Sequence, residues 1–469
     1  MASLETLTAE YQELLTNDTI GYSKFLSQQS TNMNTSHQKR KEILQGGIHG
    51  TWDDHDYGGN DYGHTMTQKS ERRAAFFDFL QQSNDALLQT STSNLSSEER
   101  KEQQGRKTER LHMNRNGVYH SVTFGTPPRQ VQVLFLDTRW SRQHHCIPSL
   151  ATTKMPLGNI FACLTRLITA GILSWPPKRS SSSGISLSSC LHQSMLGADQ
   201  WSWLEQQVQE SQAQVVLVVS SVQVLTTNPV VESWGHYPKE RERLLSILNE
   251  IPEAAVVILS GDVHHGELLH SHHVNRDNDL RNGGIGILEV TSSGLTHSCS
   301  EPFYGSLCAP ILDAFSSHRY ISTNGSSSTS TEMEKNALGY FTGRNFGSIE
   351  IDWGDQGEDN RSRSTEDSHN MISISRTPSM KVNVHNHEGA VVLTAGSHPF
   401  EKYSSHMSDV ELKAIPNCIN GHLIPILSKF FGIITWIGII LIWRRYTRQS
   451  KVAVHTPNQS NRRLKSKQK

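Results

Sequence analysis

The 469-residue sequence has no Cys-x-x-Cys pair, almost no net charge and no internal repeat, and its first residues lack a basic stretch followed by an apolar one. Each absence excludes something. Without paired cysteine spacing, the six cysteines at 146, 163, 190, 299, 308 and 418 do not read as a structural zinc module. With 44 basic against 45 acidic residues there is no global field to draw the chain to nucleic acid. The start "MASLETLTAEYQELL" does not read as a signal peptide. The chain is long enough to bury one large catalytic core or two ordinary ones. Two readings of the cysteines stand: disulfides in an oxidising compartment, with Cys299 and Cys308 the natural local pair, or free buried thiols.

What the chain does have is a strongly apolar run near its end. Residues 423–443, "LIPILSKFFGIITWIGIILIW", are long enough to cross a bilayer, and the basic stretch that follows, within 444–469, suits a cytosolic flank. The expectation is a single-pass membrane protein with a lumenal or extracellular large domain; a buried core helix is the other reading. Sequons at Asn17, Asn34, Asn94, Asn324 and Asn360 fit a glycoprotein with that topology. The N-terminus opposes it, leaving three routes: a chain that starts late, one that inserts by its tail, or a segment that itself directs translocation.

Periodicity organises the rest. Helices are expected over 3–16 and 69–82, and over "GADQWSWLEQQVQES", where Trp201, Leu204 and Val208 share one face and read as core. Runs at 118–125 and 129–139 read as two strands joined by a turn. "AQVVLVVSSVQVL" and "AAVVILSGD" are buried strands flanking a helix begun by Pro238, a pattern that suggests a right-handed crossover and parallel pairing. Strands follow in "GGIGILEVTSSG" and "NFGSIEIDW", and a pair around 379–396 lies beyond a polar stretch that reads as a linker. The expected organisation is a domain over 1–353, a linker and strand pair over 354–422, the membrane segment, and the basic tail.

Two polar clusters carry chemistry. "GTWDDHDYGGNDYG" (50–63) sets Asp53, Asp54, His55 and Asp56 on a glycine-rich turn with Trp52 and Tyr57 interleaved. A solvated turn is one explanation; a metal or phosphate site, which needs carboxylate oxygen and imidazole nitrogen on a sharply bent backbone, is the other. "VVILSGDVHHGEL" (256–268) is an apolar strand that ends in Asp262, Val263, His264 and His265. In open α/β sheets, ligand-binding side chains gather at the carboxyl ends of strands. Two such Asp/His clusters suit a binuclear hydrolase that holds a phosphate ester between metals, and their oxygen and imidazole donors fit iron, manganese, zinc or calcium. Beyond a third strand end, Arg139 and Arg142 are placed to hold phosphate oxygens; a structural bond between Arg139 and Asp137 is the alternative.

Taken in order, "GTWDDHDYGGND", "LDTRWSR", "LGADQWSWLE", "VVSSVQVL", "LSGDVHHGEL" and "FGSIEIDW" resemble the PhoD-like alkaline phosphatases, a branch of the metallophosphoesterases, over roughly residues 10–353. The resemblance implies an α/β/β/α sandwich with a two-metal centre acting on phosphate mono- or diesters. It implies metal ligation by Asp54, Asp262 and His264, proton donation to the leaving oxygen by His55, and a substrate-side place for Asn60 and Arg139. Family members also carry an earlier strand-end Cys or Asp and a Gly-Asp-x-x-Tyr type motif that supply a bridging carboxylate. This sequence begins downstream of both, so the expectation is a domain whose first core strands lie outside it. Two further readings stand beside the enzyme: a non-catalytic membrane ectodomain that binds a partner or phosphorylated ligand, and a tail-anchored cytosolic protein.

Overall fold

A computed structural model describes residues 3–17, 47–91, 115–152, 158–173, 192–251, 254–271, 287–301, 305–315, 339–354 and 378–399. The apolar run 423–443, the basic tail and the sequons at Asn34, Asn94, Asn324 and Asn360 lie outside these residues. Among the described residues, no helix is long and apolar enough to cross a membrane.

The main sheet is built from β1 (His120–Thr126), β2 (Arg129–Phe135), β3 (Val215–Ser220), β4 (Ala255–Ser260), β5 (Gly266–Ser271), β6 (Ile287–Ser292) and β7 (Tyr340–Phe341), in the order β1-β2-β3-β4-β6-β5-β7. Its centre, β2-β3-β4-β6, is parallel. The outer pairs are antiparallel: β1 with β2 through the turn at 127–128, and β5 with β6 and β7. The helix α6 (Pro238–Asn249) makes the crossover from β3 to β4, as Pro238 at its first turn and the apolar spacing of Leu244, Ile247 and Leu248 anticipate. Other helices are α1 (Leu4–Thr16), the single turn α2 (Asp54–Tyr57), α3 (Lys69–Ser91), α4 (Gly158–Leu173), α5 (Ala198–Glu210) and α7 (Gly305–Phe315).

Strand alternation explains how both faces of the sheet are covered. Successive side chains point to opposite faces. Val216 and Val218 on β3, with Val256 and Ile258 on β4, pack against Trp201, Leu204 and Val208 of α5 and Leu244 and Leu248 of α6. Their neighbours Val215, Ala255 and Val257 face the opposite way, where Met380, Val382 and Val384 of β9 (Ser379–Asn386) and Leu393 of β10 (Val391–Pro399) meet them. These strands form a second sheet, β10-β9-β8, with β8 (Asn345–Asp352) paired to β9 over its whole length. The described layers therefore run helices, mixed sheet, antiparallel sheet. Being covered on both sides is why the central strands read as continuous apolar runs.

A strand pair, β9 and β10, follows residue 353. The strand pair beyond it completes the sheet begun by β8, and its apolar face shares a core with β3, β4 and β6.

Candidate functional site

The parallel centre of the sheet points its carboxyl ends toward one rim. There, β2 leads into Asp137–Arg142, β4 into Asp262–His265, and β6 into the loop that carries Ser293 and His297. The acidic turn α2 comes to the same rim from a separate small core. Trp52 and Tyr57, both fully buried, join Phe76, Phe77 and Leu80 of α3 and Leu7 and Tyr11 of α1. This is what the aromatic residues are doing inside an acidic run: they root it. The Trp52 indole N–H donates to Asp137 Oδ1 at 2.9 Å, and the Tyr57 hydroxyl donates to the Gly63 carbonyl at 2.9 Å. Asp137 also accepts from the backbone N–H groups of Val118, Arg139 and Trp140. It is thus the joint between the β2 end and the acidic turn. Replacing Trp52 with Phe keeps most of the apolar volume and leaves this buried carboxylate one donor short; we expect a loss of about 1–3 kcal/mol, read by denaturant unfolding.

Within the turn, the Asp53 backbone N–H donates to Asp56 Oδ2 and the Gly58 N–H returns to the Asp54 carbonyl, fixing the bend. Asp56 is further held by the Tyr11 hydroxyl at 2.7 Å, so its carboxylate is occupied within the structure.

The two clusters converge. Asp53, Asp54 and Asp262 each offer a carboxylate oxygen, all within 4.8 Å of one another. Burial first, and then the charges of the other two carboxylates, push the Asp262 carboxyl well above its usual range. Asp53 is likewise raised by burial, against the opposing pull of Arg139. Three anions so close are stable when a cation of high charge sits among them, and hard oxygen donors select one.

His264 follows Asp262 by two residues in the same loop, outside the close trio, and burial together with His297 holds its imidazole down to about 4. That keeps it in the neutral, ligating form. His55 stands at the mouth, its side chain 82% exposed and its Nε2 3.7 Å from Asp54 Oδ2. Asn60 is half-buried in the same turn, immediately before Asp61.

Arg139 lies in the segment that follows β2. Its side chain is wholly buried beneath the acids, with Nη2 2.6 Å from Asp53 Oδ1 and 3.8 Å from Asp262 Oδ1, and Nη1 on Glu232. Burial opposes its charge, but Asp53, Asp54 and Asp262 outweigh that and hold it firmly protonated. The bond to Asp137 is made by its backbone N–H, at 2.9 Å from Oδ1.

A second buried ionic layer continues behind it. Asp61 accepts from Arg166 on α4 and Arg142, and Arg166 also reaches Glu232 Oε2 at 3.4 Å. Although burial works the other way, Arg166, His145 and Arg142 hold Asp61 well below the ordinary carboxylate range.

Among the described residues, the non-glycine positions with left-handed backbone are Asp61, Asp262 and His264, with φ of 60°, 72° and 59°. All three lie in the two loops of this site. Asp and His tolerate that region better than most side chains, and strain of this kind gathers at functional positions.

A model of the PhoD-like phosphatases matches residues 28–362. The chain belongs to that family. The matched span includes both polar clusters, the Trp-Asp-Asp-His turn and the Gly-Asp-Val-His-His strand end, whose Asp53, Asp54 and Asp262 meet at the rim. Among solved structures, one described as "Structure of PhoD" is similar at 20% identity, covering 52% of this chain and 39% of that one, with a TM-score of 0.30. The chain thus spans well under half the length of that relative. No curated protein matches. PhoD-like phosphatases are metal-dependent, which agrees with the carboxylate trio found here.

Sequence reasoning places Asp53 in the acidic cluster but names only Asp54 and Asp262 of the trio as ligands. Glu232 and Arg166 carried no local signal: each is an isolated charge, and their partners lie 64 or more residues away.

Proposed function

We propose that this chain is a metal-dependent hydrolase of phosphate mono- or diesters, in which Asp53, Asp54 and Asp262 supply oxygen ligands and His264 a nitrogen ligand. The observation that carries the reading is the convergence of three carboxylates within 4.8 Å at the carboxyl end of the sheet's parallel centre, over a buried arginine. The donor set fits the group: hard anionic oxygens with an adjacent imidazole suit iron, manganese, zinc or calcium. When bound, such an ion stabilises charge that develops on the phosphoryl oxygens. Membership of the PhoD-like family supports the reaction class.

The chain's own residues do the rest. Asp54 steadies His55 from one side, and the exposure of that ring lets it take a proton from solvent and deliver it to the departing oxygen. Arg139 neutralises part of the acidic charge from below, so that the three carboxylates stay poised to bind a cation before one arrives. Asn60, half-buried in the same loop, offers a neutral amide for a substrate oxygen.

The test is hydrolysis of chromogenic phosphate mono- and diesters by the purified chain, before and after chelation, with iron, calcium, manganese or zinc restored singly. We expect chelation to abolish turnover and one or two of the metals to restore it. Tight metal binding with no hydrolysis would instead favour a non-catalytic relative that binds a phosphorylated ligand. Hydrolysis indifferent to chelation would overturn the proposal.

A further inference from the structure

His297 stands outside everything assigned so far. It lies in the loop after β6, is exposed, and is not part of either sequence cluster. Yet its Nε2 is 3.1 Å from Nε2 of His264, with the two ring centroids 4.0 Å apart and the planes at 63°.

That meeting is built rather than incidental. The loop bearing His297 is stitched to the strand-end loop bearing His264 by three hydrogen bonds: His264 N–H to Ser293 Oγ at 3.1 Å, Ser293 N–H to the His265 carbonyl at 3.3 Å, and Cys299 N–H to the His264 carbonyl at 2.8 Å. The Cys299–Cys308 disulfide then ties the far end of that loop to α7. The ring itself is steered by Thr296, whose Oγ1 is 3.0 Å from His297 Nδ1. In the tautomer where Nδ1–H donates to that hydroxyl, the Nε2 lone pair is free and aimed at His264.

Two imidazoles that bind one ion at about 2.0–2.1 Å and roughly a right angle hold their nitrogens about 3 Å apart. The observed separation meets that requirement. A bare hydrogen bond between two neutral imidazoles at the surface would contribute only about 0.5–1.5 kcal/mol, little return for a loop fixed at both ends.

We infer that His297 is a metal ligand alongside His264, so that the nitrogen side of the centre is an imidazole pair drawn from two different strand-end loops. The inference rests on the metal-centre reading above and adds to it a ligand, a donor count and a preference. A paired-imidazole side shifts selectivity toward zinc, copper or iron and away from calcium, which takes oxygen donors.

The test uses metal alone, on the whole chain, with no substrate. Copper(II) is loaded into the wild type, His297→Ala and His264→Ala, and coordinated nitrogens are counted by electron paramagnetic resonance; zinc affinity is measured by competition with a chromophoric chelator. Two imidazole nitrogens in the wild type and one in each variant are expected, with zinc affinity in His297→Ala weakened about ten- to a hundredfold or more, since even outer partners of a metal ligand are worth that much. Because His297 is exposed, thermal unfolding of the metal-free variant is expected to match the wild type, which separates ligand loss from misfolding. A wild type that binds metal through a single imidazole, or a His297→Ala protein with unchanged nitrogen count and affinity, overturns this inference and leaves the carboxylate centre standing. A wild type that binds neither ion overturns both.

Discussion

Asp262→Asn is expected to lose its metal and about a thousandfold or more in phosphoester turnover. Asparagine suits the left-handed backbone at this position and nearly matches aspartate in size, so the change isolates charge. The ion it would release is worth several kcal/mol to the transition state, and each ~1.4 kcal/mol is tenfold in rate. His55→Ala makes the contrast. Its imidazole is exposed and stands at the edge of the carboxylate trio, so that variant is expected to keep its metal while losing ~10²–10⁴-fold in rate, as removal of a general acid does. Elemental analysis run beside initial rates separates the two. A His55→Ala protein stripped of metal as completely as Asp262→Asn would show that the roles are wrongly divided.

Arg139→Met is expected to destabilise the fold by about 3–5 kcal/mol, the usual consequence of removing one partner from a buried ion pair. The methionine fills much of the space but leaves Asp53 facing Asp54 and Asp262 with no counter-charge beneath, and takes one cation from the fully buried Glu232. Urea unfolding in the presence of a chelator measures the effect without compensation from bound metal. Adding Asp53→Asn to Arg139→Met should recover part of the loss, because the two residues are in contact and their effects are not additive. A loss below ~1 kcal/mol in the single variant would mean that Arg142 and Arg166, which also reach this ionic layer, suffice to hold it.

How much of this could be read from residues alone depends on the distance over which each signal acts. The apolar runs of β3 and β4, the Pro238 start of α6 and the Trp201–Leu204–Val208 stripe of α5 are local patterns, and local patterns survive into the fold. Helix α3 runs on to Ser91, beyond the expected end at Gln82, because no glycine or proline stops it. Helix α4 is hidden in sequence: "GNIFACLTRLITAGIL" is apolar through most of its length, which blurs a helical period. The site divides along the same line. Asp54 and Asp262 sit in compact clusters whose composition is unusual, whereas Arg139's true partners are Asp53, 86 residues earlier, and Glu232, 93 residues later. Chain closure, not composition, makes that contact. His297 is the extreme case, an isolated histidine whose meaning comes wholly from the loop it faces.

The left-handed backbone at Asp262 and His264 sets this strand end against itself. Each such residue stores about 1–3 kcal/mol of strain that glycine would relieve. Asp262→Gly and His264→Gly are therefore expected to relieve backbone strain while removing the carboxylate and imidazole that the turn presents. The same bend that costs stability is what aims these two side chains.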